Sequence, residues 1–178
     1  MFEVAVVIAA VLALAVVAVL IFALTKPDTF RVERAVAIAA PPENIFPLID
    51  DFHQWQSWSP YETKDPAMQR SFSGAASGKG AIYAWNGNKN VGSGRMEILD
   101  APAPGKVVIK LDFFTPFEGH STAEFTLRPR GERTDVTWLM HGPNSLMAKL
   151  MHVFINMDHM VGKDFAVGLA NLKRVTEA

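Results

Sequence analysis

An unbroken apolar run stands at the beginning of the chain. Residues 4–24 are 21 consecutive residues without a charge, a proline or a glycine. At about 1.5 Å per residue, a helix of that length spans the ~30 Å hydrocarbon core of a bilayer. Because every face of this helix would be apolar, burial of one face against a protein core does not suit it. The run predicts a transmembrane anchor that occupies residues 1–25.

A cleaved secretory signal is the alternative interpretation of this segment. Such signals start with basic residues, carry an apolar stretch of about 7–15 residues and end at a small-x-small cleavage site. This chain starts with Met1, Phe2 and Glu3, and Leu24 and Thr25 fall where small residues are wanted. The pattern therefore favours an anchor over a signal peptide.

The residues after the run indicate orientation and spacing. Lys26, Arg31 and Arg34 follow the apolar segment and no Lys or Arg precedes it, which favours a cell-membrane protein whose domain lies on the cytoplasmic side. Residues 26–29 are predicted to form a linker, and the five residues from Thr25 to Thr29, fully extended, reach only about 17 Å. A domain that starts at residue 30 would lie close to the lipid headgroups.

From Phe30 the hydrophobic pattern acquires a period of two. Phe30, Val32, Val36 and Ile38 share one parity, which predicts a first strand. Short helices are predicted over residues 41–50 and 52–58, the first because proline and glutamate suit a helix N-terminus. Turn residues then separate strands predicted over residues 81–85, 91–99, 107–114, 118–128 and 134–140. About six strands in succession predict an antiparallel meander.

After Gly142 and Pro143 the period lengthens to about 3.6. One apolar stripe runs through Leu146, Leu150, Phe154, Met157, Val161, Phe165, Leu169 and Leu172. It predicts a long C-terminal helix with a kink near Asn156. To bury the stripe, this helix must lie across the concave face of the sheet, so residues 30–178 are expected to form one α+β domain.

Several short segments resemble a known superfamily. They are residues 40–46 (APPENIF), 55–60 (WQSWSP), 134–138 (TDVTW), 161–165 (VGKDF) and 168–173 (GLANLK). In this order they resemble the polyketide cyclase/dehydrase-like branch of the SRPBCC superfamily. The resemblance implies the START-like helix-grip fold, a curved antiparallel sheet wrapped around a long C-terminal helix, with a deep cavity for hydrophobic molecules. It implies no particular reaction, because the superfamily includes carriers, sensors, co-chaperones and enzymes.

Composition narrows the functional classes. The 17 basic and 18 acidic side chains are interspersed without a charged block, so no nucleic-acid surface is indicated. The absence of cysteine excludes disulfides, thiolate metal sites and a cysteine nucleophile. The five histidines lack metal-ligand spacing, since His152 and His159 are seven residues apart and a helical pair of ligands prefers three or four. Neither a metal nor a cofactor is expected.

Strand parity bears on catalysis. Along strands 107–114 and 118–128 the residues at positions 107, 109, 111, 113, 123, 125 and 127 are apolar, and the charged residues stand on the other parity. The charged set, which would face solvent, is Lys106, Lys110, Asp112, Glu118, His120, Glu124 and Arg128. General acid–base catalysis needs a titratable group within hydrogen-bond reach of the substrate, so the pattern favours binding over catalysis. A β-bulge would reverse a face locally, and a cyclase, dehydratase or hydrolase acting in the same cavity remains the alternative.

Large apolar side chains are the candidates for a ligand site. The proposed lining is Trp55, Trp58, Tyr83, Trp85, Phe113, Phe125, Trp138, Met140, Met157 and Phe165. Aromatic and methionine side chains provide broad, adaptable apolar surface, although a domain of this size needs the same residues for its core. Arg34 is the one charge on the apolar parity of the first strand, where it would meet an acidic headgroup or form an internal ion pair.

We interpret the chain as a membrane-anchored domain that binds, transports or senses a hydrophobic small molecule or lipid. Its expected partners are this ligand and the bilayer, without nucleic acid. A protein-interaction module at the membrane is a further alternative.

Overall fold

The N-terminal helix stands apart from the rest of the fold. A computed structural model of the chain describes residues 2–154 and 156–178, apart from the side chains of His152 and Phe154. Helix α1 occupies Phe2–Leu24, exposes apolar side chains on all sides and buries Ala23 at its end. Within the described residues it is the one helix long and apolar enough to cross a membrane. Its length and position suit both an anchor and a signal sequence.

A seven-stranded antiparallel sheet forms the body of the domain. The strands are β1 Thr29–Ile38, β2 Gln69–Gly74, β3 Ala81–Asn86, β4 Ser93–Asp100, β5 Lys106–Thr115, β6 Gly119–Arg130 and β7 Arg133–Pro143. Their order is β1-β7-β6-β5-β4-β3-β2, so β2 to β7 form a meander and β1 pairs with β7. The pattern missed β2, since Phe72 is its only large apolar residue.

Helices connect and close the sheet. They are α2 Pro42–Ile45, α3 Pro47–Asp50, a 3₁₀ helix Phe52–Ser57, α4 Pro60–Lys64, α5 Leu146–Phe154 and α6 Met157–Thr176. The single helix predicted over residues 41–50 is divided at Pro47, which has no N–H to continue the hydrogen-bond ladder. Pro60, expected only to end a helix, also begins α4, because its fixed φ suits the first helical position.

The long C-terminal helix predicted from one apolar stripe is two helices. The side chain of Asn156 accepts a hydrogen bond from the backbone N–H of His159 at 2.9 Å, and this cap begins α6. Helix α6 packs on β1 and β7, whereas α5 packs against α1. Among the stripe residues whose side chains are described, those of α6 enter the domain core or pack against it.

The core lies between the sheet and α6. On β6 the predicted inward residues Ala123, Phe125 and Leu127 are buried, and on α6 Phe165 and Leu169 face them from the other side. The inward side chains that alternate along the strands thus pack against those that recur every 3.6 residues on α6, and together they form one apolar layer. The predicted α+β class and helix-grip arrangement are confirmed.

The segment between α1 and β1 is bonded to the start of α5. The backbone N–H of Asn144 donates to the Asp28 carbonyl at 2.7 Å, and its side-chain amide donates to the Pro27 carbonyl at 2.9 Å. Lys149 donates to the Asp28 carboxylate at 2.5 Å. These bonds attach the apolar helix to the end of the sheet at which β1 begins and β7 ends.

Candidate functional site

Eight of the ten predicted lining residues belong to one connected set of rings. The structure links them through Phe52, and we call these eight rings together with Phe52 the aromatic layer. Its members are Phe52, Trp55, Trp58, Tyr83, Trp85, Phe113, Phe125, Trp138 and Phe165. Met140 is buried on the same strand as Trp138. In this conformation the rings pack against one another, and the contact between Trp138 and Phe165 joins them to α6.

The centre of the aromatic layer is a stack of three rings from three elements. Trp138 of β7 lies parallel to Phe165 of α6, with ring centroids 3.9 Å apart and an interplanar angle of 8°. On its other side, Phe125 of β6 stacks at 4.8 Å. Trp138 is therefore the point at which the sheet and the C-terminal helix meet.

Two tryptophans of the layer are held by bonds to nearby backbone. The Trp55 indole N–H donates to the Ile49 carbonyl at 2.9 Å, and the Trp58 indole N–H donates to the Leu48 carbonyl at 2.7 Å. Asn171 of α6 donates to the Trp58 carbonyl at 3.1 Å. These bonds account for the polar atoms of both rings, so the rings serve as fixed walls of the layer.

The indole N–H of Trp138, unlike those of Trp55 and Trp58, is not bonded to nearby backbone in the described structure. Its Nε1 is buried, and among the described residues it has no hydrogen-bond partner. A buried donor without an acceptor costs about 1–3 kcal/mol, which is why buried indole N–H groups are normally bonded. The layer thus contains one donor able to satisfy a polar atom of a bound molecule.

A charged group that strand parity did not reveal lies beside the layer. Glu62 of α4 is buried and accepts from the Tyr83 hydroxyl at 2.7 Å and from Arg70 Nε at 2.6 Å. Burial, and then the hydrogen bond to Glu62, raise the pKa of Tyr83. Glu62 is 21 residues from Tyr83 in sequence and lies outside the strands, so no local pattern identified it. An acid does therefore reach an inward-facing tyrosine.

The opposite face of the sheet carries the charged residues that parity placed there. Glu118 and His120 are exposed as predicted, but Asp112 is almost fully buried. Asp112 accepts from His120 Nδ1 at 2.7 Å and pairs with Lys110 Nζ at 2.9 Å. Burial opposes ionisation of Asp112, yet these two partners hold its pKa below its ordinary value. The face of the sheet predicted for Asp112 was right. The predicted exposure of Asp112 to solvent was wrong, because neighbouring side chains cover its carboxylate.

Arg34 forms the ion pair left open by the sequence. Its two terminal nitrogens donate to the two carboxylate oxygens of Asp158, at 2.9 and 3.0 Å. The guanidinium lies against Gly162, where an added Cβ would be only 2.0 Å from Arg34 Nη2. The sequence could not identify Asp158, which is 124 residues away from Arg34.

A groove of about 600 Å³ lies where the linker, β1 and the α5–α6 junction meet. Its lining combines basic, acidic, polar and apolar side chains: Lys26, Pro27, Thr29, Phe30, Arg31, Val32, Asn144, Val153, Asn156, Met157 and Asp158. Met157, predicted for the ligand site, lies here and not in the aromatic layer. Within the part of the chain that the structure describes, no cluster of three or more His, Asp or Glu side chains is placed to hold a metal ion.

Comparisons with known proteins agree with this architecture. The profile of the family described as polyketide cyclase/dehydrase and lipid transport matches residues 29–177. Curated protein sequences contain no match.

Three solved structures illustrate the similarity of fold. A solution structure from Thermobifida fusca is 20% identical, with a TM-score of 0.61 over 82% of this chain and 92% of that chain. A crystal structure from Chromobacterium violaceum is 16% identical, with a TM-score of 0.59 over 86% of this chain and 99% of the other. Ginseng major latex-like protein 151 from Panax ginseng is 12% identical, with a TM-score of 0.57 over 84% and 99%.

Proposed function

The chain belongs to the polyketide cyclase/dehydrase and lipid transport family, as its sequence segments suggested, and we propose that it binds a hydrophobic small molecule or lipid at the aromatic layer. The observation that carries the proposal is the buried indole N–H of Trp138, which has no acceptor among the described residues. A ligand with an apolar body and one carbonyl or hydroxyl oxygen would satisfy that donor.

Entry of such a ligand requires a change at the junction of β7 and α6. The stacked rings of Trp138 and Phe165 occupy this junction, so the ligand would replace their contact with its own apolar surface. The ring surfaces of Trp138 and Phe165 would then be covered by the ligand instead of by each other, while the Trp138 N–H gains a hydrogen bond. Rotation of Phe165, or a small shift of α6, would open the layer.

The proposal places this binding domain at a membrane. Helix α1 is the anchor, and the basic residues Lys26, Arg31 and Arg34 after it favour a cytoplasmic domain. A domain attached in this way would take a poorly soluble ligand from the bilayer, or present one to it.

The test compares two ligands that differ in one polar atom. Full-length protein in lipid nanodiscs is titrated with a fluorescent long-chain ketone and with the matching hydrocarbon. Trp138→Phe, which keeps a stacking ring and removes the donor, should weaken ketone binding about tenfold, the effect of one hydrogen bond of about 1.4 kcal/mol. Hydrocarbon binding should stay constant.

The matched control is Trp85→Phe, because the Trp85 indole N–H already donates to the Val91 carbonyl at 3.0 Å. This variant should treat both ligands alike. An equal loss of both ligands in Trp138→Phe, or no binding of either by the unmodified protein, would remove the support for this site.

One observation favours an enzyme as the second candidate. The buried Glu62 carboxylate is bonded to Tyr83 beside the aromatic layer, and a carboxylate next to a tyrosine is able to move protons. Turnover of an aromatic polyketide that is lost in both Glu62→Gln and Tyr83→Phe, with binding retained, would establish catalysis and replace the binding assignment.

A further inference from the structure

Exposed aromatic residues lie at the end of the sheet that is joined to α1. The register pairs Thr29 at the start of β1 with Pro143 at the end of β7. The turn between β5 and β6 leaves the sheet at the same end, because β6 is antiparallel to both β5 and β7. At this turn Phe114 and Phe117 are each more than half exposed. Large apolar side chains displayed together mark interaction surfaces.

Helix α5 adds further apolar surface at this end. Leu146 and Met147 in its first turn are more than half exposed, whereas Lys149 is buried and bonded to Asp28. The helix packs against α1, so its exposed apolar residues belong to the part of the domain that is adjacent to the apolar run. The apolar surface thus continues from α1 onto the domain.

We propose that Phe114, Phe117, Leu146 and Met147 form a membrane-contact face that inserts into the interface of the bilayer crossed by α1. The proposal rests on the anchoring role given to α1 above. Its occupant is lipid because the face is continuous with α1, and because Asn144 and Lys149 bond the domain to the linker that follows α1. Lys26 and Arg31 lie at the same end, where they suit lipid phosphates, and Arg31 also bonds the Glu33 carboxylate.

This placement has a consequence for the groove between the linker and the α5–α6 junction. Lys26 and Arg31 line the groove together with Phe30, Val153 and Met157. With the face in the interface, the groove lies at headgroup depth. A lipid would then reach the domain without crossing bulk water.

The absence of cysteine allows the face to be tested with single-cysteine variants. Full-length Phe117→Cys and Met147→Cys, each labelled with an environment-sensitive fluorophore, are reconstituted in vesicles of phosphatidylcholine and phosphatidylglycerol. Both labels should show blue-shifted emission, quenching by spin-labelled lipid and protection from iodide. The control is Leu99→Cys. Leu99 is exposed and lies near the end of β4, at the end of the sheet opposite to the membrane-contact face. Its label should be quenched by iodide alone.

A label at Val11→Cys reports on α1 itself and separates two failures. If the Val11 label is in lipid while the labels at 117 and 147 are in water, the membrane-contact face is wrong and the anchor stands. If the Val11 label is also in water, both proposals are wrong. Labels at 117 and 147 that are shielded from iodide but not quenched by lipid would mean that protein covers the face, which overturns the inference.

Discussion

The indole ring of Trp138 and the phenyl ring of Phe165 lie face to face, with centroids 3.9 Å apart and planes inclined by 8°. This contact joins the last strand to the C-terminal helix, and both side chains are buried. It serves packing in the present conformation and, in the proposed function, is the contact that a ligand replaces. Truncation of Phe165 should therefore lower the stability of the domain, whereas loss of the Trp138 N–H should weaken ligand binding.

Phe165→Ala should lower the free energy of unfolding by about 3–5 kcal/mol, because it leaves a cavity against Trp138. Urea unfolding of the full chain in nanodiscs, followed by tryptophan fluorescence, measures this loss. Val167→Ala on the exposed side of α6 is the control and should change stability by no more than about 0.5 kcal/mol. Equal small losses in both variants would mean that the stack does not hold α6.

Gly162→Ala should destabilise the domain by displacing the Arg34 guanidinium from Asp158, since the added Cβ would lie 2.0 Å from Arg34 Nη2. In an Arg34→Ala background this clash disappears. There the same substitution should be neutral or stabilising, because alanine exceeds glycine in helix propensity by about 1 kcal/mol. A double-mutant cycle by thermal unfolding checks this change of sign, and identical effects in the two backgrounds would refute it.

Tyr83→Phe should cost about 1.5–3 kcal/mol, the usual contribution of a hydrogen bond to a charged group. The reason is that the buried Glu62 carboxylate loses the Tyr83 hydroxyl and keeps only Arg70. Tyr61→Phe is the matched control, since Tyr61 lies on the same helix as Glu62 and takes no part in the Tyr83–Glu62 bond. Chemical denaturation of the two variants compares them, and a cost no larger than that of the control argues against a structural role for the pair.

Acid should destabilise the folded domain through the outer face of the sheet. Lys106, and more weakly His141, lower the pKa of Glu124, and Lys110 and His120 lower that of Asp112 against the effect of burial. A carboxyl group whose pKa is lower in the folded state stabilises above its unfolded pKa of about 4, and loses that contribution as pH falls through the folded pKa. Asp50, whose pKa is raised first by burial, acts in the opposite direction.

Thermal unfolding between about pH 7 and pH 3 should therefore show a plateau followed by a decline. Asp112→Asn should flatten the decline, because it removes one of the groups that bind protons on unfolding. A decline of unchanged steepness in this variant would place the responsible groups elsewhere.

A reporter enzyme fused after Ala178 should be active in the cytoplasm and inactive outside it, given that Lys26, Arg31 and Arg34 follow α1. The full chain should remain in the membrane fraction after alkaline carbonate extraction. Activity confined to the outside would reverse the orientation. A soluble mature protein that begins near Thr25 would show α1 to be a signal peptide.

Local patterns determined the order and type of most elements. Parity predicted the buried side of β6 and the outer position of His120, because alternation of side chains is a property of the strand itself. The 3.6-residue period likewise placed Phe165 and Leu169 on the buried side of α6. The family segments came from the same local information and led to the helix-grip fold.

Tertiary structure alone decided which polar groups meet. Glu62 bonds Tyr83, 21 residues away, and Arg34 bonds Asp158, 124 residues away. No periodicity in the sequence carries information about partners so far apart. The same apolar stripe was divided into α5 and α6 because Asn156 caps a new helix, and α5 then packed on α1 instead of the sheet. The Trp138 indole, whose N–H has no partner among the described residues, also emerged only from packing, since the polar atoms around a side chain are set by every element that surrounds it.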